Sequence, residues 1–238
     1  EATKLIRFLD ERFKQYETKI VFGYDSNTLD VYGNITNEMD MRFTEEELDT
    51  SLAALKTQKQ QVPPMVSAIK VSGKKLYQYE RENKEVELVP RSIEIKALER
   101  ISDLTCNNGH PEVDLRITCS KGFYVRSFGR DLGQALGGCA ILKELRRLYS
   151  GGFSVEQAVC LEDLKIENLL SIESIFSHFT YLEVNDFVAK LVKNGVMLDE
   201  RQIKTKDPFY IVHNGVIIAI YEVVGLNQYK PVTIFKER

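Results

Sequence analysis

The stretch from Cys119 to Arg130 constrains the fold most strongly, because its hydrophobic period changes from that of a strand to that of a helix. Residues 112–119 alternate apolar and polar side chains, which is typical of a half-buried strand. Over residues 125–136 the apolar side chains recur at helical spacing, and a pair of glycines ends the pattern. The sequence therefore predicts a strand that turns at Lys121-Gly122 and continues as a helix.

The predicted start of this helix places Tyr124 and Arg126 beside free backbone N–H groups. A helix N-terminus has a positive potential, and a guanidinium next to it adds donors that match a carboxylate or a phosphate. This end of the helix is therefore a candidate site for an anionic ligand. The same pattern is equally consistent with a core tyrosine and a surface arginine, so both interpretations stay open at this point.

Composition argues against several kinds of site. The 238 residues are 43% hydrophobic and 28% charged, as in ordinary globular proteins, and no apolar run approaches membrane-spanning length. The four cysteines include no CxxC spacing, and His110, His178 and His213 are isolated, so neither a metal site nor a histidine triad is expected. Four scattered thiols favour a reducing cytoplasm. We expect chemistry that rests on carboxylate, tyrosine and arginine side chains.

Two clusters of basic residues contrast with the net charge of −3. The overall charge argues against a general nucleic-acid-binding protein, but local clusters can bind phosphate in an acidic chain. Such clusters are more often simply solvated surface, and that alternative stays open. The first cluster consists of Lys70, Lys74, Lys75, Arg81 and Lys84, and the second of Arg126, Arg130, Lys143, Arg146 and Arg147.

The segment 65–81 combines basic and aromatic residues, and it predicts a strand, a Ser-Gly turn and a short basic helix. This composition suits contact with a nucleic-acid strand. The pattern alone favours the alternative, an amphipathic helix whose tyrosines face the core.

Residues 24–33 predict a polar loop, and they lack the spacing and the terminal glutamate of a calcium-binding loop.

The remaining elements follow from period and capping residues. We predict an amphipathic helix over residues 1–13, a strand over 16–23, a helix after the capping box at Thr44, a strand over 91–98, and mostly helix over 161–176. Beyond residue 181, a short helix over 185–193 precedes two β-rich runs joined by Asn214-Gly215, which is a strong hairpin motif.

Together these segments resemble TruB-type tRNA pseudouridine synthases in order and in spacing. The segments that carry the resemblance are Glu1–Lys4, Gly23–Gly33, Pro63–Arg81, Ser120–Arg126, Leu145–Arg147 and Gly152–Ser154. The resemblance implies an α+β fold with a mixed-sheet pseudouridine synthase core over residues 1–180. It also implies a thumb-like insertion at about 61–92 and a small β-rich, PUA-like C-terminal domain over 181–238.

The resemblance implies isomerisation of uridine to pseudouridine at position 55, in the TψC loop of tRNA. The target base must leave the stack before it can be detached and rotated. Enzymes of this family work without a metal or a cofactor. The expected partner is therefore the TψC arm of tRNA, and we expect a monomer in the cytoplasm.

The resemblance also assigns roles to individual residues. Arg126 matches the arginine that pairs with the catalytic carboxylate, Tyr16 the tyrosine that stacks on the base, and Asp30 a second acidic residue near the substrate. Tyr124 and Leu145 match residues that contact the target base. The residues expected to bind RNA are Lys70, Lys74, Lys75, Arg81, Arg146 and Arg147.

The nucleophile of this family is an aspartate in a Gly-Thr-Leu-Asp-Pro type motif shortly before the Glu-Ala-Thr-Lys run. The present sequence starts at that run, so we expect an N-terminally incomplete synthase whose nucleophile is not in this chain. Thr28-Leu29-Asp30 belongs to a different loop and lacks the following proline. One alternative is a non-catalytic tRNA-binding or tRNA-folding protein of the same fold. Another is a protein that binds small anions at the turn over residues 121–126.

Overall fold

The computed structural model describes residues 2–9, 13–82, 84–176 and 179–235. Two residues named above, Glu1 and His178, lie outside the described residues. The chain divides into two compact units. The larger unit is Asp10–Ala158, and the smaller unit combines Glu1–Leu9 with Val159–Arg238.

The larger unit is built on an antiparallel sheet. Its strands are β1 (Phe13–Phe22), β2 (Tyr24–Ser26), β3 (Ile35–Glu38), β4 (Gln60–Gln61), β5 (Lys70–Val71), β6 (Lys74–Lys75), β7 (Arg91–Ser92), β8 (Ile95–Arg100), β9 (Thr105–Asn107), β10 (His110–Ser120), β11 (Ala140–Ser150) and β12 (Phe153–Ser154). Its helices are α1 (Glu45–Lys56), α2 (Leu76–Arg81) and α3 (Val125–Ala135), with a 3₁₀ turn at Val155–Gln157. The main sheet has the order β12-β11-β1-β10-β8, with β9 paired to β10. The other strands form the pairs β2-β3, β4-β7 and β5-β6.

One face of this sheet forms the core of the larger unit. Because side chains alternate along a strand, Ile20 and Phe22 of β1 share a face with Leu115 and Ile117 of β10. Helices α1 and α3 cover this face with their own apolar residues, among them Leu48 and Phe128. The strand, turn and helix predicted over residues 112–136 are confirmed as β10 and α3.

The capping box predicted at Thr44 is confirmed. The Thr44 side chain accepts a hydrogen bond from the Glu47 N–H at 3.2 Å, and the Glu47 carboxylate accepts one from the Thr44 N–H at 2.7 Å. These two bonds satisfy backbone donors that have no partner within the helix. The N-terminus of α1 is thereby stabilised at Thr44.

The smaller unit has a five-stranded sheet of order β13-β15-β16-β17-β14. Its elements are a 3₁₀ helix at Ala2–Phe8, 3₁₀ turns at Leu161–Asp163 and Ile166–Asn168, α4 (Ile172–Ile175), β13 (Thr180–Glu183), α5 (Asp186–Lys193), β14 (Leu198–Asp199), β15 (Phe209–His213), β16 (Val216–Gly225) and β17 (Gln228–Ile234). Strands β13 and β15 are parallel and the other pairs are antiparallel. The predicted Asn214-Gly215 hairpin is confirmed, since both residues have the positive φ that such a turn requires.

Two segments of the smaller unit that were predicted to be helical form a different type of helix. Residues 161–176 form two 3₁₀ turns and the four-residue α4, because their apolar side chains, such as Leu161 at 81% and Ile166 at 75% exposure, have no packed face to stabilise a continuous helix. The opening helix is a 3₁₀ helix over Ala2–Phe8. In the described part of the chain, no helix is long and apolar enough to cross a membrane.

The division of the chain into two units reflects only which residues pack against each other. A catalytic core over residues 1–180 and a PUA-like domain over 181–238 therefore stay predictions, and the two divisions place residues 1–9 and 159–180 differently.

Gly133 lets α3 lie directly against the start of β11. A Cβ at this position would lie 2.4 Å from Ala140 N and 2.5 Å from the carbonyl carbon of Cys139, so only a backbone shift could make room. We expect Gly133→Ala to lower the free energy of unfolding by about 2 kcal/mol or more. Denaturant unfolding followed by circular dichroism measures this loss.

Gly129, on the same helix, is the matched control. A Cβ there would meet the end of the Ile20 side chain at 3.1 Å, and that side chain can adjust. Gly129→Ala should therefore change the free energy of unfolding by less than about 1 kcal/mol. Equal losses in Gly129→Ala and Gly133→Ala would contradict the close helix–strand contact.

Candidate functional site

Arg126 joins three segments of the larger unit through its guanidinium. It lies in the first turn of α3, where Nη1 donates to the Thr28 carbonyl at 2.8 Å and to Asp30 Oδ2 at 3.3 Å. Nη2 donates to the Val66 carbonyl at 2.9 Å. The side chains of Arg126 and Asp30 are only 24% and 17% exposed. The arginine is therefore held in one orientation by an ion pair and two carbonyl groups.

Asp30 is fixed by its own loop and by the sheet. Its Oδ1 accepts hydrogen bonds from Thr28 Oγ1 at 2.7 Å and from the Tyr32 N–H at 3.1 Å. Its backbone forms a parallel bridge with Leu142 of β11. The loop predicted over residues 24–33 thus begins with the short strand β2 and is attached to the main sheet. Among the described residues, no group of three or more histidine, cysteine, aspartate or glutamate side chains could hold a metal ion.

Tyr124 is the N-cap of α3, as the sequence predicts for the start of this helix. Its N–H donates to Oε1 of Gln61 at 2.9 Å, and Gln61 is only 3% exposed. The interpretation of this helix end as an open anion site is weakened, because protein acceptors already take the Tyr124 N–H and the Arg126 guanidinium. Sequence reasoning missed Gln61, since a single glutamine in a short strand belongs to no pattern.

A second arginine of α3 contacts the segment that contains Gln61. Arg130 lies one turn after Arg126, and its Nη2 donates to the Val62 carbonyl at 3.0 Å. Side chains four residues apart lie on one face of a helix, so both arginines reach the segment over residues 61–67. This segment is thereby bound along the N-terminal half of α3.

Tyr16 lies on the core face of β1. It packs against the core cluster that includes Val125, the residue before Arg126, and its strand partners are Ile117 and Arg147. Burial raises the pKa of the Tyr16 hydroxyl, the neighbouring Cys119 adds to this effect, and Arg147 opposes it. The phenol therefore stays neutral at physiological pH and offers an aromatic ring and a hydroxyl donor.

Leu145, Arg146 and Arg147 are exposed residues of β11. Leu145 is 50% exposed and pairs with Thr18, whereas Arg147 pairs with Tyr16. Because strand residues alternate, Leu145 and Arg147 share the face of Tyr16, and Arg146 lies on the opposite face. The two arginines expected to bind RNA therefore point to different sides of the sheet.

In the basic segment around α2, lysine and arginine side chains lie close to the rings of two tyrosines. The Lys74 ammonium lies 4.9 Å from the ring centroid of Tyr79 and also pairs with Glu82. Lys75 and Arg81 lie 5.6 and 5.4 Å from the ring centroid of Tyr77. Lys70 is exposed on β5. The predicted turn and short basic helix are confirmed as the β5-β6 hairpin and α2.

A groove of about 570 Å³ connects Arg126 to this basic segment. Its lining includes Val66, Ala68, Tyr77 and Arg81 as well as Arg126. The structure thus brings one residue with a predicted catalytic role next to one with a predicted RNA-binding role. Tyr16, Tyr124 and Leu145 do not line this groove.

Comparison with known proteins shows which family this chain belongs to. The family model of the TruB family pseudouridylate synthase N-terminal domain matches residues 1–125. The tRNA pseudouridine synthase B of Aster yellows witches'-broom phytoplasma (strain AYWB) is 35% identical over 233 residues, covering 97% of this chain and 81% of that protein. The protein of the same name from Oceanobacillus iheyensis is 37% identical over 251 residues, covering 99% of this chain and 81% of that protein.

A solved structure supports the fold. The chain matches one in the crystal structure of a Cbf5-Nop10-Gar1 complex with a TM-score of 0.63, over 99% of this chain and 69% of that chain. At 19% identity, this likeness shows the fold alone, and it confirms the predicted α+β architecture. Given the family match over residues 1–125 and the identity to relatives along nearly the whole sequence, this chain belongs to the TruB family of pseudouridylate synthases.

Proposed function

We propose that this protein isomerises uridine to pseudouridine in tRNA, at position 55 of the TψC loop. The observation that carries the proposal is the 35% to 37% identity to two proteins named tRNA pseudouridine synthase B, along almost all of this chain. The position within tRNA follows from the family resemblance. We also propose that the protein acts as a monomer in the cytoplasm.

The chemistry requires one glycosidic bond to be exchanged for another. The bond between uridine nitrogen 1 and ribose carbon 1′ breaks, and a bond from uridine carbon 5 to carbon 1′ forms. A proton leaves carbon 5 and a proton ends on nitrogen 1, so substrate and product are isomers and no oxidant or reductant is consumed. The proposed reaction therefore needs no redox cofactor.

Arg126 supplies a cation whose position is set before the substrate binds. Its contacts with Thr28, Asp30 and Val66 prevent it from turning towards solvent. Fixed charges stabilise a transition state without the cost of reorganisation. We assign Arg126 the stabilisation of negative charge at the reacting centre, and Asp30 the orientation of Arg126.

Tyr16 is assigned to the flipped base. Its ring lies on the core face of the sheet, at the end that also carries Leu145. A base that leaves the stack loses stacking energy of a few kcal/mol, and an aromatic side chain can restore part of it. Tyr124 and Leu145 stay proposals as further contacts of that base.

Position-specific chemical mapping tests the site of modification. Unmodified tRNA is incubated with the protein and treated with a carbodiimide that adds stably to pseudouridine, and reverse transcription then stops beside each adduct. We expect one enzyme-dependent stop, for position 55, and none in a tRNA with cytidine at that position. Stops only at other uridines would overturn the assignment to position 55.

A further inference from the structure

The segment over residues 61–67 is attached to the N-terminal half of α3 by three acceptors in the part of the chain that the structure describes. Two are backbone carbonyls, which accept from Arg126 at 2.9 Å and from Arg130 at 3.0 Å. The third is a side chain, since the Tyr124 N–H donates to Oε1 of Gln61 at 2.9 Å. A substitution leaves backbone carbonyls in place. Gln61 is therefore the acceptor of this set that depends on residue type.

The Gln61 carboxamide takes the place of a local helix cap. Tyr124 is the N-cap of α3, and its own side chain makes no capping hydrogen bond. N-cap residues usually carry a short side chain whose oxygen accepts from the first turn, and tyrosine does not. The first four N–H groups of a helix have no acceptor within the helix. Gln61 supplies one of these acceptors from 63 positions away, so the start of α3 depends on a tertiary contact.

The position of Gln61 is itself well fixed. Its backbone pairs with Arg91 of β7, and the residue is only 3% exposed. Pro63 and Pro64 follow, and both are buried. Because each proline ring fixes φ, this part of the chain has little freedom to move. The acceptor for Tyr124 is therefore in place before any substrate binds.

The same carboxamide is an expensive choice for stability. Its Nε2 is buried and makes no hydrogen bond with any residue that the structure describes. A buried donor without an acceptor lowers the free energy of unfolding. Residues that break a local rule in this way are expected at functional sites. The bond to Tyr124 is the one hydrogen bond of the Gln61 side chain within the described ranges.

The turn that Gln61 stabilises contains Arg126, two residues after the N-cap. Thr28 and Asp30 hold the guanidinium of Arg126, whereas Gln61 holds the backbone from which this side chain starts. We infer that Gln61 is a positioning residue, whose hydrogen bond to the Tyr124 N–H fixes the start of α3 and so orients Arg126 for the reaction. The inference rests on the proposed function, in which Arg126 acts in pseudouridine formation.

Amide hydrogen exchange, followed by NMR, tests the placement without relying on turnover. In the unmodified protein the Tyr124 N–H should be protected from exchange. In Gln61→Met, whose side chain has a similar length but no such acceptor, it should exchange about tenfold faster, the size of one hydrogen bond. In Gln61→Glu, which keeps an oxygen acceptor beside the helix N-terminus, it should stay protected. An unprotected Tyr124 N–H in the unmodified protein would overturn the inference, whether or not the variants fold.

Single-turnover kinetics at saturating enzyme test the effect on the reaction. A misplacement of 1 Å can cost about 100-fold in rate, and because Arg126 keeps its other contacts we expect Gln61→Met to lower the rate of pseudouridine formation about tenfold. The dissociation constant for tRNA should stay the same, and Gln61→Glu should retain most of the rate. A purely structural role would lower the melting temperature and leave the rate of the folded protein unchanged. That result, or equal losses of rate in Gln61→Met and Gln61→Glu, would overturn the inference.

Gln60→Met is the matched control. Gln60 is the same residue type at the neighbouring position of β4, and it is exposed. Because neighbours on a strand point to opposite sides, its side chain is not directed towards Tyr124. Gln60→Met should show the exchange at Tyr124 and the rate of the unmodified protein. Losses equal to those of Gln61→Met would contradict a specific role of the Gln61 acceptor.

The two measurements separate this inference from the proposed function. If the unmodified protein forms no pseudouridine, the proposed function is contradicted, while protection of Tyr124 that depends on Gln61 still supports the placement of α3 by this side chain. If pseudouridine forms at the same rate in the unmodified protein and in folded Gln61→Met, the function stands and the inference is overturned.

Discussion

Arg126→Ala should lower kcat for pseudouridine formation by about 10³-fold, because in the role that we propose for Arg126 it removes a preorganised charge from the reacting centre. Binding of tRNA should weaken far less, since we propose that other basic residues make most of the phosphate contacts. The substitution also leaves the Asp30 carboxylate and the Thr28 and Val66 carbonyls without this donor. We therefore expect the free energy of unfolding to fall by about 2 to 3 kcal/mol. Single-turnover kinetics and filter binding on the same preparation measure both effects.

Arg130→Ala is the matched control for Arg126→Ala. Arg130 lies one turn later on α3 and also donates to a carbonyl of the 61–67 segment, but its carboxylate partner is Asp131 and not Asp30. Its loss should affect stability and substrate affinity more than kcat. Near-normal turnover in Arg126→Ala, or an equal loss of kcat in both variants, would contradict the role assigned to Arg126.

Tyr16→Ala should lower kcat by about 10²-fold or more, because the flipped base then loses its aromatic contact. Base–aromatic stacking is worth about 1 to 3 kcal/mol, and misplacement of the base adds to that loss. Affinity for tRNA should stay within about tenfold of the unmodified protein, since the phosphate contacts are unchanged. Rapid-quench measurements at saturating enzyme separate kcat from affinity.

Tyr149→Ala controls for the loss of a half-buried tyrosine from this sheet. Tyr149 is the partner of Gln15, so it lies on the face opposite to Tyr16. We expect Tyr149→Ala to retain most of the turnover. Comparable losses in the two variants would mean that stability, rather than contact with the base, explains the effect of Tyr16→Ala.

Local patterns predicted several elements because their causes are local. The change of hydrophobic period near Lys121-Gly122 predicted β10 and α3, and the capping box at Thr44 predicted the start of α1. The Asn214-Gly215 pair gave the β15-β16 hairpin. In each case the residues that determine the conformation lie within a few positions of it.

Contacts between distant residues could not be read from the sequence in the same way. Arg126 and Asp30 are 96 positions apart, and Gln61 and Tyr124 are 63 apart. The first contact depends on how β11 pairs with β1 and on the bridge from Asp30 to β11, and the second on the pairing of β4, which carries Gln61, with β7. No local period encodes these pairings. The resemblance to the family named Arg126 and Asp30 separately, but it did not indicate that the two pair with each other.

Burial explains the main errors. Residues 161–176 have apolar residues at helical spacing, but many of these side chains are exposed, so the spacing does not produce one helix. Arg146 and Arg147 stay predictions as RNA contacts, and as neighbours on a strand they face opposite sides of the sheet. Gln61 emerges only when buried polar atoms are matched with their partners.

The most direct test of the proposed activity is tritium release from unmodified tRNA labelled at uridine carbon 5. Pseudouridine formation removes that hydrogen, because carbon 5 becomes the glycosidic carbon. The intact gene product should release one equivalent of tritium per tRNA from position 55, and none from tRNA with cytidine there. Bound tRNA without any release, at enzyme concentrations above that of the tRNA, would contradict the account and favour a non-catalytic tRNA-binding protein.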